Sequence, residues 1–368
     1  MNIGIIDADL IGREHHNFPN LACMKISGYF KNKGHNVKLI GCDHIDPYNL
    51  FPEQFDKIFI SKVFTDTYCP DHIKNLKNVT IGGTGFFFDK APDLPDKVEH
   101  HYPDYHLYDE WVERRINIGE KKVSYFKYYH DFSIGYTTRG CFRQCEFCVL
   151  KNKKVILKHS PIEEFLDKSK KYICLLDDNI LGFDKWDEII KTLQDTEKPY
   201  QYKQGMDIRI MTERKAKILI ESKYIGNYIF AFDNIEDKEI VIKKLKLWNE
   251  YSKRNNPSAV LYCFCGYDRS NKYDENFWIQ DTIDLLERTK ILMEHSCRPY
   301  VMRYAKWKEA PYPYKSFYIY ISGWANSGKI FQKASLRQHV GSVIPFIEFE
   351  KKHPEIAEKY FDMKFIIK

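Results

Sequence analysis

Strand-like and helix-like segments alternate along most of this chain, and that rhythm constrains the fold more than any other feature. From Asp131 to Tyr304 six apolar runs follow one another: FSIGYTT, YICLLDD, KQGMDIRI, NYIFAFD, AVLYCFCG and RPYVMRY. Helical patterns separate them. Ser160-Pro161-Ile162-Glu163 has the form of a capping box with proline at the first helical position. Asp184 precedes an apolar stripe at Trp186, Ile189, Ile190 and Leu193. Thr212 can start a third helix, Asn234 or Ile235 a fourth through Trp248, and the fifth runs from Glu275 to Met293. Strands separated by helices need crossover connections, and those produce parallel sheets. The spacing predicts an α/β fold with a partial (β/α)6 barrel over 131–304; a doubly wound open sheet is the alternative. In both, ligands bind at the carboxyl ends of the strands.

The first 90 residues show the same alternation, with NIGIID, VKLIG, KIFISKVF and VTIGG as strands. Leu21, Met24, Ile26 and Tyr29 mark a helix that stops at Gly34. These features predict a Rossmann-like open parallel sheet over 1–90. Residues 91–130, rich in proline, aromatics and histidine, read as a connecting segment that packs on a neighbour. The tail, 305–368, is basic and aromatic, with a helix expected at PFIEFEKKHPEIAEKYF.

Composition narrows the class. An apolar fraction of 43% and a charged fraction of 29% exclude a wholly disordered or collagen-like chain. No uncharged apolar run is long enough to span a membrane. Asp7 and Asp9 interrupt the first apolar run, so no signal peptide is expected and the protein is expected to be cytoplasmic. Fifty-seven Lys and Arg against 51 Asp and Glu give +6, a mild excess that does not indicate a nucleic-acid partner. The runs Lys151, Lys153, Lys154 and Lys168, Lys170, Lys171 read as solvated surface.

Ten cysteines are present. In a reducing compartment a structural disulfide set is not expected. Seven are dispersed, at 23, 42, 69, 174, 263, 265 and 297, and read as small buried residues. The other three, Cys141, Cys145 and Cys148, form a Cys-x3-Cys-x2-Cys cluster just after the first barrel strand. Three close thiolates can wrap one soft metal site. Three ligands on a [4Fe–4S] cluster leave one iron open, whereas structural zinc takes four closed ligands. His130 and His159 are candidate fourth ligands, although neither has finger-like spacing.

The triplet, with aromatic Phe147 before its last cysteine and the alternating background of 131–304, resembles the radical S-adenosylmethionine (SAM) superfamily. The resemblance implies that SAM chelates the open iron and that one electron splits its sulfonium. The 5′-deoxyadenosyl radical so formed would abstract hydrogen from a substrate, here unknown. It implies a reducing partner such as flavodoxin or ferredoxin. It also implies SAM contacts at strand ends: Phe147; Asp177, Asp178 and Asn179, where the superfamily often has a Gly-Gly-Glu-like segment that this chain lacks; and Gln204, Asp207, Arg209 and Asp233. Read from the residues, Asp207 and Arg209 share a strand face and pair with a ligand or with each other. Asp177–Asn179 can instead be a polar turn, and Asp233 a helix cap. Arg303 and Tyr304 could reach a substrate or pack the rim.

The front domain is similar to the cobalamin-binding-like domain that precedes the barrel in one radical SAM subgroup. The matching stretches are Asp7 to Gly12, Ser61 to Val63, and Gly82-Gly83. Asp9 stands where that subgroup has a cobalt-ligating histidine, and a carboxylate is a poor substitute. His15 and His16 read as surface. Gly82-Gly83 either admits a ligand to the backbone or ends a strand. Cobalamin is therefore a lesser expectation than a scaffold domain. Competing readings are a cobalamin-dependent radical methyltransferase, a non-catalytic zinc module with a basic surface, and a scaffold that has lost turnover. Within the family it resembles, methylthiolation usually brings a second cluster and an RNA-binding tail, and no second cysteine triplet is present in the sequence.

Overall fold

A computed structural model describes residues 1–13, 15–40, 54–252 and 258–365. Cys42, grouped above with the dispersed cysteines, lies outside the described residues. The chain divides into two compact units, Met1–Leu176 and Asp177–Lys368. The class is mixed α/β with parallel sheets.

In the first unit, β1 (Asn2–Asp7), β2 (Asn36–Leu39), β3 (Lys57–Ser61) and β4 (Val79–Gly82) form a four-stranded sheet in the order β2-β1-β3-β4. Every pairing is parallel: Ile3 faces Val37 and Lys57, and Phe59 faces Thr80. This matches the open sheet expected of the first 90 residues. The order reverses direction between β1 and β3, which is where such sheets open a crevice. The helix Leu21–Asn32 is capped by Asn20, whose side chain accepts from Cys23 N. It buries Cys23, Met24 and Ile26 against Ile5. The expected connecting segment completes that core with Tyr105, Tyr108, Trp111, Val112, Phe126 and Tyr129. Its aromatics are the fill between the sheet's helix and its own short helix, Asp109–Asn117.

β5 (Phe132–Gly135) is wholly buried and pairs in parallel with β8 (Tyr172–Leu175). Between them, β6 (Thr138–Arg139) and β7 (Leu157–Lys158) form a short antiparallel ribbon. The capping-box sequence opens only one 3-10 turn, Ile162–Glu164, not an α-helix. Lys170, read as surface, is buried and donates to Tyr129 O at 3.1 Å.

In the second unit, β9 covers only Tyr200–Tyr202. β10 (Ile229–Ala231), β11 (Val260–Cys265) and β12 (Arg298–Arg303) form a parallel sheet in that order. Cys263 and Cys265 lie inside a strand, as the sequence suggested. Thr212 and Asp274 cap the helices Glu213–Glu221 and Glu275–Glu294 with their side chains. Asp184 does not cap: the helix Trp186–Asp195 follows Lys185 without a side-chain cap. The expected strand KQGMDIRI is a correction. Only Met206 makes a bridge there, to Phe230, and Ile208–Ile210 is a 3-10 turn capped by Asp207. Gly205 and a carboxylate that bonds its own backbone break the extended run. The tail is helical, with Tyr314–Asn326 and with Ile344–Lys352 and Pro354–Tyr360 in place of one continuous helix. Proline at 354 separates the last two. Among the described residues no helix is long and apolar enough to cross a membrane.

Candidate metal and cofactor residues

The cysteine loop leaves the β6–β7 ribbon at Gly140. This residue has φ +108°, and a Cβ there would stand 2.1 Å from Val155 O. Only glycine tolerates both conditions. The loop is then pinned from within. Cys141 N donates to Lys153 O at 2.9 Å, Gln144 adopts φ +51°, and Gln144 Nε2 donates to Cys141 O at 3.2 Å. Cys148 N donates to Cys145 O at 2.9 Å, and Leu150 N reaches Cys148 Sγ at 3.5 Å. Cys141, Cys145, Cys148 and Phe147 are half-buried. Cys23, Cys69, Cys174, Cys263, Cys265 and Cys297 are all buried. Burial pushes the Cys263 and Cys297 thiols up to about 12. A thiol must ionise to bind metal, so these six suit packing and the triplet suits ligation.

Donor type and number fit a soft cluster with one open position. Among the described residues no three His, Cys, Asp or Glu side chains are grouped as a ready-made metal site. Ordering of ligands and uptake of metal are coupled, so closure of such a loop belongs to binding itself. His159, a candidate fourth ligand, is otherwise engaged: Nε2 lies 3.3 Å from Glu99 Oε1 and Nδ1 3.0 Å from Ser160 Oγ. Lys25 Nζ meets the same Glu99 oxygen at 2.8 Å. Burial pushes Glu99 upward, but the bonds from His159 and Lys25 prevail and hold it at about 2. His159 thus anchors the ribbon's end. His130 is half-buried at the end of the short helix Lys127–His130.

The remaining expected cofactor residues belong to the second unit. Asp177 and Asn179 are buried and Asp178 is half-buried. Asn179 Oδ1 accepts from Asp207 N at 3.4 Å. Arg209 Nε lies 2.7 Å from Asp207 Oδ1, and its Nη1 lies 2.7 Å from Asp237 Oδ2. Arg209 and Asp207 therefore pair with each other, from one turn and not from one strand face, and Asp237 was not foreseen. Gln204 is exposed. Asp233 accepts from Phe264 N at 3.0 Å, and burial raises its carboxyl above the ordinary range. Arg288 was missed. It is buried, and its Nη1 donates to the carbonyls of Phe232, Asp233 and Phe264 at 2.9–3.0 Å. One cation thus gathers the carboxyl ends of β10 and β11. A lone arginine among Leu285, Leu286, Ile291 and Leu292 was the available signal. Arg303 stacks on Trp307 at 4.0 Å, and Tyr304 packs edge-on to Tyr267.

Past the carboxyl ends of β1 and β3 the chain's own polar groups bond one another. Asp9 is 1% exposed and accepts from Val63 N at 2.6 Å, Phe64 N at 3.3 Å and Thr67 Oγ1 at 2.5 Å. Lys62 Nζ donates to Thr67 O at 3.0 Å. A Cβ on Gly83 would stand 2.3 Å from Lys62 O, so this glycine serves the contact between two loops of the chain, whereas a Cβ on Gly82 would meet nothing within 4 Å. His15 is exposed and His16 half-buried. Asp9 does not fit as a cobalt ligand, because its carboxylate is committed to the loop after β3.

No protein-family model matches the sequence, and no curated protein matches it. Among solved structures the chain is similar to a cobalamin-dependent S-adenosylmethionine radical enzyme, OxsB, with aqua-cobalamin bound. The identity is 16% and the TM-score 0.33, over 82% of this chain and 49% of that one. The chain thus spans about half the length of that protein.

Proposed function

We propose that the chain is a radical SAM enzyme whose [4Fe–4S] cluster is held by Cys141, Cys145 and Cys148. The observation that carries the reading is the pinned loop past β5, with three half-buried thiols in a chain whose other described thiols are buried. When bound, such a cluster supplies an open iron for the amino and carboxylate groups of SAM and the electron for reductive cleavage of the sulfonium.

The chain's own part is to bind and orient. Asp177 or Asp178 offers a carboxylate to the SAM ammonium. Gln204 offers an exposed amide. Asp207 and Arg209, tied to Asn179 and Asp237, hold the turn beside them and are less available for direct contact. Phe147 offers an aromatic edge next to Cys148. A partial barrel built on β5, β8 and β9 to β12 is part of the same proposal, as is a one-electron donor protein.

Anaerobic reconstitution tests it. The expected result is a brown protein with about four irons per chain and broad absorption near 400 nm. With SAM and dithionite it should release 5′-deoxyadenosine. A colourless, zinc-loaded protein with no SAM cleavage would sink the reading. A parallel arm with added cobalamin, read as S-adenosylhomocysteine, separates methyl transfer from hydrogen abstraction.

A further inference from the structure

Two carboxyl groups, Asp7 and Asp9, are buried where β1 gives way to the short helix Ala8–Gly12. Their partners differ. Val63 N, Phe64 N and Thr67 Oγ1 all donate to Asp9, which suits a carboxylate. Asp7 meets Leu10 N at 3.3 Å and the Tyr108 hydroxyl at 2.8 Å. That hydroxyl also accepts from Asn20 N at 3.1 Å, and Asn20 Nδ2 donates to Ser61 Oγ at 2.9 Å. The other titratable groups around Asp7 offer it no charge. Burial holds the Tyr108 phenol and the Cys23 thiol well above their ordinary ranges. Tyr129 packs against Tyr108 with ring centroids 5.2 Å apart. The cations of the neighbouring segments are committed elsewhere: Arg13 to Asp66 at 2.6 Å, and Lys62 Nζ to Thr67 O and Thr65 O at 3.0 and 3.4 Å. His16 is held below its ordinary range by burial, against the pull of Asp9. Among the described residues neither Asp7 nor Asp9 is in an ion pair.

We infer that Asp7 and Asp9 form a proton-held strap: while Asp7 keeps its proton, Asp9 ties the loop after β3 to the end of β1, and loss of that proton lets the loop go. An interior without a compensating cation tolerates one carboxylate more readily than two. Asp7 lies in β1 and pairs in register with Ser61 of β3, so it cannot turn toward water. All three donors to Asp9 belong to one loop, whose Val63 and Phe64 side chains are already exposed. The easier relief is for Asp9 and that loop to part and admit water. Burial, with the Asp9 charge adding to it, raises the Asp7 carboxyl to about 7 against the opposing bond from Tyr108. The folded chain holds this proton more tightly than the unfolded one, so the strap is closed below about pH 7 and loosens above it. The strap spans the place where the strand order reverses, the edge at which open parallel sheets take ligands. Access to that edge then follows pH, whether or not the thiol loop carries a cluster.

Hydrogen exchange of the full chain tests this, read by mass spectrometry on overlapping peptides that cover the loop and β3, with rates corrected for the intrinsic effect of pH. From about pH 6 to about pH 8.5, protection of the Val63 and Phe64 amides should fall about tenfold, while that of Phe59 and Ile60 inside β3 stays the same. Asp7→Asn carries no proton to lose and should protect the loop equally at both values. Asp9→Asn should protect it poorly at both. Tyr108→Phe removes a donor to the ionised form of Asp7 and should move the midpoint of the change to higher pH. That variant keeps the test decisive should Asp7→Asn not fold. Equal protection of the wild-type loop at both values overturns the inference. A fall that survives in Asp7→Asn, or a midpoint unmoved in Tyr108→Phe, also overturns it.

Discussion

Gly140 and Val155 approach so closely that a β-carbon on the first would stand 2.1 Å from the carbonyl oxygen of the second. Because φ at Gly140 is +108°, any side chain there is strained as well as crowded. Gly140→Ala should therefore displace the start of the cysteine loop and leave the parallel sheets intact. Expected are wild-type circular dichroism and less than about half the reconstituted iron. Full iron in this variant would show that the loop's entry angle does not matter.

Cys141, Cys145 and Cys148 act as a set if they share one cluster. Each single alanine variant is expected to lose bound iron and 5′-deoxyadenosine formation together. Cys263→Ala, inside β11, should retain both, apart from a core loss of about 1 kcal/mol at a fully buried site. Iron that survives all three loop substitutions would place the metal elsewhere.

Asp7 is wholly buried at the end of β1, and burial raises it to about 7 from an ordinary value of 3.8. The folded chain thus holds this proton more tightly than the unfolded chain does. Stability from this group is complete below about pH 4, falls between about pH 4 and 7, and is level above that. The shift amounts to at most about 4 kcal/mol at this fully buried site. Asp7→Asn removes the ionisable group; like the protonated acid it keeps one acceptor oxygen, for Leu10 N or for the Tyr108 hydroxyl, and sets a donor against the other. Denaturant midpoints should rise at pH 8 and change little at pH 4. An equal rise at both values would contradict the assignment.

Arg288 holds three carbonyl oxygens from two adjacent strands. Arg288→Met removes the cation and leaves buried acceptors without it, a loss of about 3 kcal/mol or more. Urea unfolding checks this. A loss below about 0.5 kcal/mol, the size of an ordinary surface change, would mean that water replaces the guanidinium.

Asp9 is the mooring of the loop after β3. Asp9→Asn keeps one acceptor oxygen but sets an amide against Val63 N or Thr67, and should lower thermal stability by about 1–2 kcal/mol. The spectrum of aquacobalamin mixed with the chain should be the same for both proteins. A change in the cobalt absorption on this substitution alone would restore Asp9 as a ligand.

Much of this was legible along the chain. The four strands of the first sheet, the cap at Thr212, and the buried state of the six scattered cysteines among the described residues all follow from local pattern. Each depends on neighbours a few residues away, which sequence displays directly. KQGMDIRI was misread because its apolar residues suit a strand, while Gly205 and the Asp207 carboxylate give its backbone another way to satisfy its bonds. Lys170 was misread because a lysine in a basic run looks solvated, and only a distant carbonyl, Tyr129 O, makes its burial tolerable.

The sequence by itself determined the spacing of Cys141, Cys145 and Cys148 and the strand–helix alternation around them, since both are properties of neighbouring residues. The tertiary structure alone decided which charges meet what: Asp237 on Arg209, Glu99 on both Lys25 and His159, Arg288 across two strand ends, Asp9 on the loop after β3. Those partners are far apart in the chain, and a buried charge takes its role from whatever group compensates it, which only folding brings within reach.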